Sequence, residues 1–137
     1  MYSDNGKLAS EYQKGETIIR EGELSDCAYI LESGMAEVYK TLPNGEYQVI
    51  GLLDENDIFG ELGLIDGFPR SASVRALSNC KVKRLTQQAF NSLARNNPQA
   101  LMPILKILVN RLRKTLYLLN ELETKQKTSE SIPVESL

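Results

Sequence analysis

Residues 59–76, FGELGLIDGFPRSASVRA, are the stretch of this chain that is most informative about its fold. Gly60 and Glu61 open a short apolar turn. Arg70 lies nine positions after Glu61, directly behind a proline, and Ser71 comes next. Glycine lets the backbone approach a ligand closely, a carboxylate accepts hydrogen bonds from sugar hydroxyls, and a guanidinium offers a planar fork of donors that matches a phosphate. The segment therefore predicts a site for one small ligand that carries an anionic group and a sugar.

The same segment also has a purely structural interpretation. A glycine turn and a proline turn, joined by a surface pair between Glu61 and Arg70 worth less than ~1 kcal/mol, would give the same residues. A ligand site requires more. If residues 61–65 form a helical turn, its first N–H groups have no partners within the turn and face an anion at the positive end of the helix dipole. Residue types alone leave both interpretations open.

The composition excludes several classes of function. The chain of 137 residues has 42% hydrophobic and 25% charged residues, which is ordinary for one globular domain with a small appendage. Its net charge of −2 disfavours a nucleic-acid surface, which is usually basic. It contains no histidine, which removes imidazole metal ligands and histidine-based nucleophile pairs, so we predict neither a metal site nor an enzyme. Cys27 and Cys80 are predicted to be buried, reduced thiols, although the sequence also permits a disulfide between them.

The sequence does not predict a membrane segment. Residues 1–10 are polar and lack an apolar core of the signal-peptide type. The most apolar window, residues 101–109, is short and is interrupted by Pro103 and Lys106. We therefore predict a cytoplasmic protein without a membrane partner.

Residues 12–85 have the pattern of short strands separated by turns. Apolar and β-branched runs such as residues 27–31 and 47–53 alternate with polar turns. The pair Asn44-Gly45 predicts a tight hairpin, because both residues readily adopt positive φ. Helical periodicity does not begin before residue 86. The prediction is a mainly β fold with C-terminal helices, in which a double-stranded β-helix (jelly-roll) barrel is followed by a helical lid.

Residues 86–123 change to helical periodicity. Thr86 is the predicted N-cap of a helix that ends near Arg95. Asn97, followed by a proline, predicts the start of a second helix. Pro103 is expected to kink this second helix or to delay its regular start.

The predicted boundaries follow from these patterns. A polar N-terminal segment (1–11) precedes a domain (12–123), which consists of a barrel (12–85) and helices (86–123). The remaining residues, 124–137, have few apolar side chains, so we predict a disordered tail.

The last helix carries an apolar seam with coiled-coil spacing. The members of this seam are spaced alternately three and four residues apart: Leu105, Leu108, Leu112, Thr115, Leu119 and Leu122. Further apolar side chains lie beside the seam, so the helix has two surfaces to bury. We predict a homodimer through residues 104–122. The alternative is one broad apolar face that packs only on its own domain.

Residues 59–76 resemble the phosphate-binding cassette of cyclic nucleotide-binding domains. That family has Phe-Gly-Glu, then apolar or small residues, then Pro-Arg-(Ser/Thr/Ala)-Ala-(Ser/Thr)-Val, and each element is present here as FGE, LGL and PRSASV. The resemblance includes the turn glycines before the cassette and covers about residues 12–122. Asn56 stands where the family usually has glycine, and Asn tolerates the left-handed conformation. The resemblance implies the jelly-roll fold and a cyclic nucleotide ligand, and it favours the ligand site over the structural interpretation.

The resemblance implies a role for each residue of the cassette. Glu61 is implied to bind the ribose 2′-hydroxyl, and Arg70 is implied to pair with the cyclic phosphate. Ser71 and the backbone of Leu62 and Gly63 are implied to complete the phosphate cradle, and Gly60 lets the backbone come close to the ligand.

The resemblance also implies how the base is held. Val38 and Ile50 are implied to flank it. The last helix resembles the C-helix of the family, which closes over the base and often dimerises. Thr115 falls where bacterial catabolite activators place a threonine that reaches the adenine, and it is the polar member of the seam. A buried hydroxyl needs a partner, and a purine edge would provide one.

The implied function is that of a sensor. Cyclic AMP is the expected ligand and cyclic GMP the alternative, since guanine preference in the family is associated with threonine at the position of Ser71. Signalling is expected to pass through movement of the C-terminal helix to an effector protein that the sequence does not identify. Few residues follow Leu122, whereas the catabolite activators continue into a helix-turn-helix domain, so we expect no DNA binding by this chain alone. Two alternatives are a degenerate member acting as a structural or protein-interaction module and a sensor fragment of a longer transcription regulator or channel.

Overall fold

The computed structural model describes residues 9–130 of the chain and the side chains of residues 9–126. The described strands are β1 (Ala9–Tyr12), β2 (Thr17–Ile19), β3 (Cys27–Ser33), β4 (Ala36–Thr41), β5 (Tyr47–Leu53), β6 (Ile58–Phe59), β7 (Ser73–Ala76) and β8 (Cys80–Thr86). The described helices are α1 (Leu62–Asp66), α2 (Gln87–Asn96) and α3 (Met102–Glu130), and a 3₁₀ turn at Pro98–Leu101 precedes α3.

The strands form two antiparallel sheets of four, in the orders β1-β8-β3-β6 and β2-β7-β4-β5. Each sheet combines strands from the beginning and the end of the β region, which is the topology of a jelly roll. The predicted fold class is therefore confirmed. Among the described residues the strand pairs lie within one sheet or the other, so the two sheets do not close into the predicted barrel.

Strand β1 lies partly inside the segment that the sequence assigns to the polar N-terminus. It begins at Ala9 and pairs antiparallel with β8, so that Tyr12 lies opposite Cys80. Residues 9–11 of the predicted segment 1–11 thus belong to a sheet. The strand is an edge strand whose residues alternate between exposed and half-buried, so its composition stays polar. Its pairing with a strand far along the chain has no local signal.

The core lies between the two sheets and draws on both. Leu31 of β3 and Val82 of β8 are completely buried, as is Ala36 of β4 in the other sheet. The alternation in β8 produces this arrangement, because Val82 is buried while its neighbours Lys81 and Lys83 are exposed. The frame that carries the cassette is therefore a packed sandwich.

Both cysteines are free and buried, as predicted. Burial raises the pKa of the Cys27 thiol and that of the Cys80 thiol. Both thiols are therefore neutral and inert near neutral pH.

The helices begin where the local signals place them. The Thr86 side chain accepts a hydrogen bond from Ala89 N at 3.1 Å, so it is the N-cap of α2 as predicted. The predicted delay at Pro103 takes the form of the 3₁₀ turn, after which the regular helix starts at Met102. The helix then continues to Glu130, so the predicted disorder is wrong for residues 124–130. These residues lack apolar side chains but also glycine and proline, and Lys, Gln and Glu are good helix formers. Residues 131–137 lie outside the described residues.

The chain divides into two units, one ending at Pro98 and one beginning at Gln99. The second unit contains α3, and many of its apolar side chains are half-exposed or more, for example Leu112 at 58% and Leu122 at 61%. Among the described residues, none of the helices combines the length and the apolar character that a membrane crossing requires.

Candidate functional site

The cassette, residues 59–76, leaves the sandwich at the end of β6 and returns to it at β7. Phe59 is buried, and its ring stacks on Tyr29 of β3 with a centroid distance of 5.3 Å. Gly60 then turns the chain with a φ of 73°, which a residue with a side chain rarely adopts. The short helix α1 follows and ends at Gly67, which has a left-handed conformation. The segment predicted to be a helical turn is therefore helical.

Arg70 is fixed by backbone groups of β3 and of the turn that follows β6. Its Nη1 donates to the carbonyl oxygen of Gly60 at 2.8 Å, and its Nη2 donates to that of Cys27 at 2.8 Å. Its own backbone is held as well, since Arg70 N donates to Glu23 O at 2.8 Å and Arg70 O accepts from Gly22 N at 2.9 Å. The guanidinium therefore keeps one orientation before any ligand binds.

The two carbonyl oxygens that accept hydrogen bonds from the Arg70 guanidinium are neutral. Besides the two carbonyls, it lies 5.9 Å from the centroid of the Tyr29 ring and 3.9 Å from Cys27 Sγ. Burial raises the pKa of Tyr29 and that of Cys27, so neither group becomes an anion near neutral pH. A half-buried cation that is held by neutral carbonyls can attract an anionic ligand, because an ion pair is screened less there than at the surface.

Glu61 supplies a buried carboxylate at the start of α1. The residue is 4% exposed, and it occupies the N-cap position without a side-chain capping bond. The purely structural interpretation, a surface pair between Glu61 and Arg70, therefore does not describe this side chain. A buried carboxylate is retained where donors can reach its oxygens, and a ribose hydroxyl is such a donor.

The two glycines of the turn are required by close approaches. A Cβ on Gly60 would lie 2.5 Å from Arg70 Nη1 and 2.8 Å from Ile19 Cδ1. A Cβ on Gly63 would overlap the side chain of Ser25 and lie 2.9 Å from Phe68 O. Gly63 is buried, whereas the neighbouring Leu62 is 51% exposed. The backbone of α1 is thus packed tightly beside the arginine.

The two serines that follow Arg70 have different environments. Ser71 is exposed, directly beside the guanidinium residue, where a ligand hydrogen bond is sterically possible. Ser73 is buried, and its Oγ accepts from Glu21 N at 2.9 Å, so it anchors the strand instead. The role of Ser71 in the cradle stays a prediction.

Two neighbours of the cassette were not singled out from the sequence. The carbonyl oxygen of Cys27 orients Arg70, and the buried Ser25 Oγ has no hydrogen-bond partner among the described residues while its side chain packs against Gly63. A backbone carbonyl has no signature in residue type. The contact with Ser25 depends on a loop far from the cassette in sequence, so no local signal could have identified it.

The residues predicted to flank the base lie on the second sheet. Val38 of β4 is half-buried, pairs with Gly51 of β5 and with Val74 of β7, and packs against the core. Ile50 of β5 is 53% exposed and has no partner in the register, because the ladder shifts there by one residue. The structure therefore brings Val38 and Ile50 to adjacent strands, beside the strand that continues from the cassette.

Thr115 belongs to the second unit of the chain. It is exposed, and its Oγ1 donates to Arg111 O at 2.9 Å. Its predicted contact with the base stays a prediction. Among residues 9–126 there is no group of three or more His, Cys, Asp or Glu side chains that could hold a metal ion.

Comparisons with known proteins identify the family of this domain. Residues 9–97 match the model of the family described as the cyclic nucleotide-binding domain. The chain is 29% identical over 105 residues to the CRP-like cAMP-activated global transcriptional regulator of Mycobacterium tuberculosis, a match that covers 77% of this chain and 47% of that protein. It is 44% identical over 85 residues to the cAMP-dependent protein kinase regulatory subunit of Aspergillus fumigatus, which covers 62% of this chain and 20% of that protein.

Solved structures of other proteins are also similar to this chain. The catabolite activator protein of Thermus thermophilus matches with a TM-score of 0.75 and 28% identity, covering 84% of this chain and 54% of that one. The EAL enzyme Bd1971 matches in its cAMP-bound form with a TM-score of 0.62 and 32% identity, covering 90% of this chain and 33% of that one, and it is also known in a cGMP-bound form.

The chain spans about half the length of the bacterial regulator and a fifth of the kinase subunit. The match to the family model, in contrast, extends over most of the sandwich and the cassette. The chain therefore belongs to the cyclic nucleotide-binding domain family.

Proposed function

We propose that this domain is a sensor that binds cyclic AMP through the cassette. The observation that carries the proposal is the Arg70 guanidinium, which is half-buried and held by two backbone carbonyls at 2.8 Å. An arginine that is already oriented loses little conformational entropy when it binds a planar or tetrahedral anion, and its fork allows two parallel hydrogen bonds.

The other cassette residues favour a cyclic nucleotide over a free phosphate as the ligand. Glu61 accepts from the ribose 2′-hydroxyl, and Arg70 binds the cyclic phosphate. Ser71 and the backbone of Leu62 and Gly63 donate to the remaining phosphate oxygens. A ligand with a phosphate on one side and a sugar hydroxyl on the other can contact both charged groups at once.

The choice of cyclic AMP over cyclic GMP rests on Ser71 and on the ligand named for a bacterial relative. Ser71 takes the place of the threonine that the family associates with guanine preference. The bacterial relative is named as cAMP-activated, while Bd1971 is known with either nucleotide. We therefore propose cyclic AMP as the tighter ligand, flanked by Val38 and Ile50 and contacted by Thr115.

The output of the sensor is proposed to pass through α3. Ligand can shift this helix only if its affinity differs between the two helix positions. The half-exposed seam of α3 supports a homodimer, since a second copy would cover Leu105, Leu112 and Leu119. We also propose that the chain is cytoplasmic, is not an enzyme, does not bind DNA by itself and transmits its signal to an effector protein.

Calorimetric titration with cyclic AMP and cyclic GMP, side by side, tests the proposal. We expect binding of both, with cyclic AMP tighter. Replacing Arg70 by alanine removes a charged bidentate contact and should weaken cyclic AMP binding by at least ~2 kcal/mol, about 30-fold. Arg95, an exposed arginine at the end of α2, is the matched control, and Arg95→Ala should leave the affinity unchanged.

Two results would contradict this assignment. Equal affinity of wild type and Arg70→Ala would exclude the proposed phosphate contact. No binding of either nucleotide by the wild type would exclude the sensor and support the alternative of a structural or protein-interaction module.

A further inference from the structure

Arg75 ties together three strands on the outer face of the second sheet. It lies in β7, five positions after Arg70, and pairs with Thr17 of β2 on one side and with Glu37 of β4 on the other. Its neighbours Val74 and Ala76 are buried in the core, so the Arg75 side chain is on the opposite face. The strand that leaves the cassette therefore carries a cation on its outer side.

The contacts of Arg75 are closer and more numerous than those of an ordinary surface ion pair. Its Nη2 and Nε donate to Glu37 Oε1 at 2.6 Å and 3.3 Å. Its guanidinium carbon lies 4.5 Å from the ring centroid of Tyr39 and 5.2 Å from that of Tyr47. The two rings meet edge to face at 5.0 Å. The hydrogen bond to Glu37 raises the pKa of Arg75 further, so the cation is permanent.

Burial distinguishes this cluster from the ion pairs Lys40–Glu21 and Lys81–Glu11. The side chains of Arg75 and Glu37 are 27% and 12% exposed, and Tyr39 is 7% exposed although it lies on the outer face. The pair Lys81–Glu11, which joins β1 and β8 on the other sheet at 3.9 Å, has side chains that are 65% and 76% exposed. Cation–π contacts and shielded ion pairs are stronger than exposed ones.

The cluster acts on the two strands that carry the predicted base contacts. Glu37 and Tyr39 are the residues directly before and after Val38, whose side chain points to the opposite, inner face of the sheet. Tyr47 is the first residue of β5, which is an edge strand with one neighbour in the sheet. The extra residue of the ladder, Ile50, interrupts the pairing of β5 with β4 between the positions opposite Val38 and Tyr39. An edge strand with a bulge is weakly held by its own hydrogen bonds, so the Tyr47 contact supplies additional support.

We propose that Arg75 is a positioning residue that holds the β4–β5 hairpin so that Val38 and Ile50 are placed correctly for the base of the bound nucleotide. This inference rests on the proposed function, because it concerns the base end of the same site. Arg70 fixes the phosphate and Arg75, on the same segment, fixes the hairpin for the base. The two ends of the ligand would thus be set by one continuous stretch of chain.

The test separates the base end from the phosphate end. We compare the wild type with Arg75→Gln, and measure calorimetric affinity for cyclic AMP and for ribose 3′,5′-cyclic phosphate, which lacks the base. We expect cyclic AMP binding to weaken about tenfold, because a loosened supporting shell misplaces the contact residues. Binding of the base-free fragment should change less than about twofold, since the Arg70 contacts are independent. Arg75→Lys keeps the charge but not the planar fork of donors, so its affinity for cyclic AMP should lie between those of the wild type and Arg75→Gln.

A second measurement does not need a ligand. Amide hydrogen exchange of the apo protein should accelerate in β4 and β5 of Arg75→Gln, with little change in β1 and β8. Lys81→Gln, which removes the exposed ion pair, is the control and should change neither exchange nor affinity. If Arg75→Gln does not fold, Tyr47→Leu removes one side of the cluster at an exposed position and is measured in the same way.

The outcomes distinguish the inference from the function on which it rests. Equal loss of affinity for cyclic AMP and for the base-free fragment, or unchanged exchange of β4 and β5, would overturn the positioning role of Arg75. Failure of the wild type to bind any cyclic nucleotide would overturn both the sensor and the positioning of a base.

Discussion

The cassette and helix α3 differ in how many contacts their functional side chains make within the chain. In the cassette, Arg70 has two carbonyl partners at 2.8 Å, and Glu61 is 4% exposed. In α3, the seam members Leu112 and Leu119 are 58% and 50% exposed. The cassette is therefore organised before it meets a ligand, whereas α3 keeps apolar area available for another surface.

This difference indicates that the cassette and α3 have different functions in the proposed sensor. A preorganised anion site provides affinity, because little entropy is lost when the ligand binds. A helix with an exposed apolar seam provides response, because its burial depends on which partner or position it takes. The predictions below test each half of this comparison.

The largest expected effect concerns the seam of α3. A glutamate at Leu112 would place a charge from each copy in the dimer interface, so Leu112→Glu should weaken dimerisation by more than about a hundredfold, ~3 kcal/mol. Sedimentation velocity over a range of concentrations measures this directly. Leu118 is a matched control, since it is 57% exposed on the same helix but lies outside the seam.

The control gives this experiment its discriminating power. Leu118→Glu adds the same charge to the same helix and should leave the dimer intact. A wild type that sediments as a monomer, or equal effects of the two variants, would contradict the prediction that the dimer forms through the seam.

The second prediction concerns the close packing within the cassette. Gly60 and Gly67 have almost the same backbone, with φ of 73° and 74°, so alanine introduces similar strain at either position. A Cβ at Gly60 would lie 2.5 Å from Arg70 Nη1, whereas a Cβ at Gly67 has no atom within 4 Å. Gly60→Ala should therefore displace the guanidinium and weaken cyclic AMP binding about tenfold, compared with less than about twofold for Gly67→Ala.

Calorimetry on both variants, with thermal unfolding as a check on folding, decides this point. If the two alanines weaken binding equally, backbone strain is responsible, and the preorganised orientation of Arg70 is not what the ligand requires.

The same comparison explains how much the sequence could predict. The Thr86 cap and the delay at Pro103 could be predicted because each depends on residue types at short spacing. The carbonyl of Cys27 that orients Arg70 was not, since a backbone oxygen from a distant strand carries no sequence signal. The start of β1 at Ala9 was missed for a related reason, because the strand is polar and its pairing with β8 is long-range.

The error at the end of α3 has a different cause. Residues 124–130 were predicted to be disordered from their lack of apolar side chains, yet the helix continues to Glu130. Composition reports whether a segment can bury a core, which is a different question from whether its backbone can remain helical. The helix that carries the seam is therefore longer than the seam itself.

The smallest expected effect tests whether α3 contributes to recognition of the base as well as to dimerisation. Thr115→Val removes the hydroxyl and should weaken cyclic AMP binding by ~1 kcal/mol, about fivefold, if the hydroxyl meets a purine edge. Thr124 is a close control, because its Oγ1 donates to Asn120 O at 2.9 Å just as Thr115 Oγ1 donates to Arg111 O at 2.9 Å. Valine at either position loses the same intrahelical bond and keeps the β-branched shape, so a loss of affinity confined to Thr115→Val would come from the ligand. Equal affinities in the two variants would instead restrict α3 to the apolar seam and leave recognition entirely to the sandwich and its cassette.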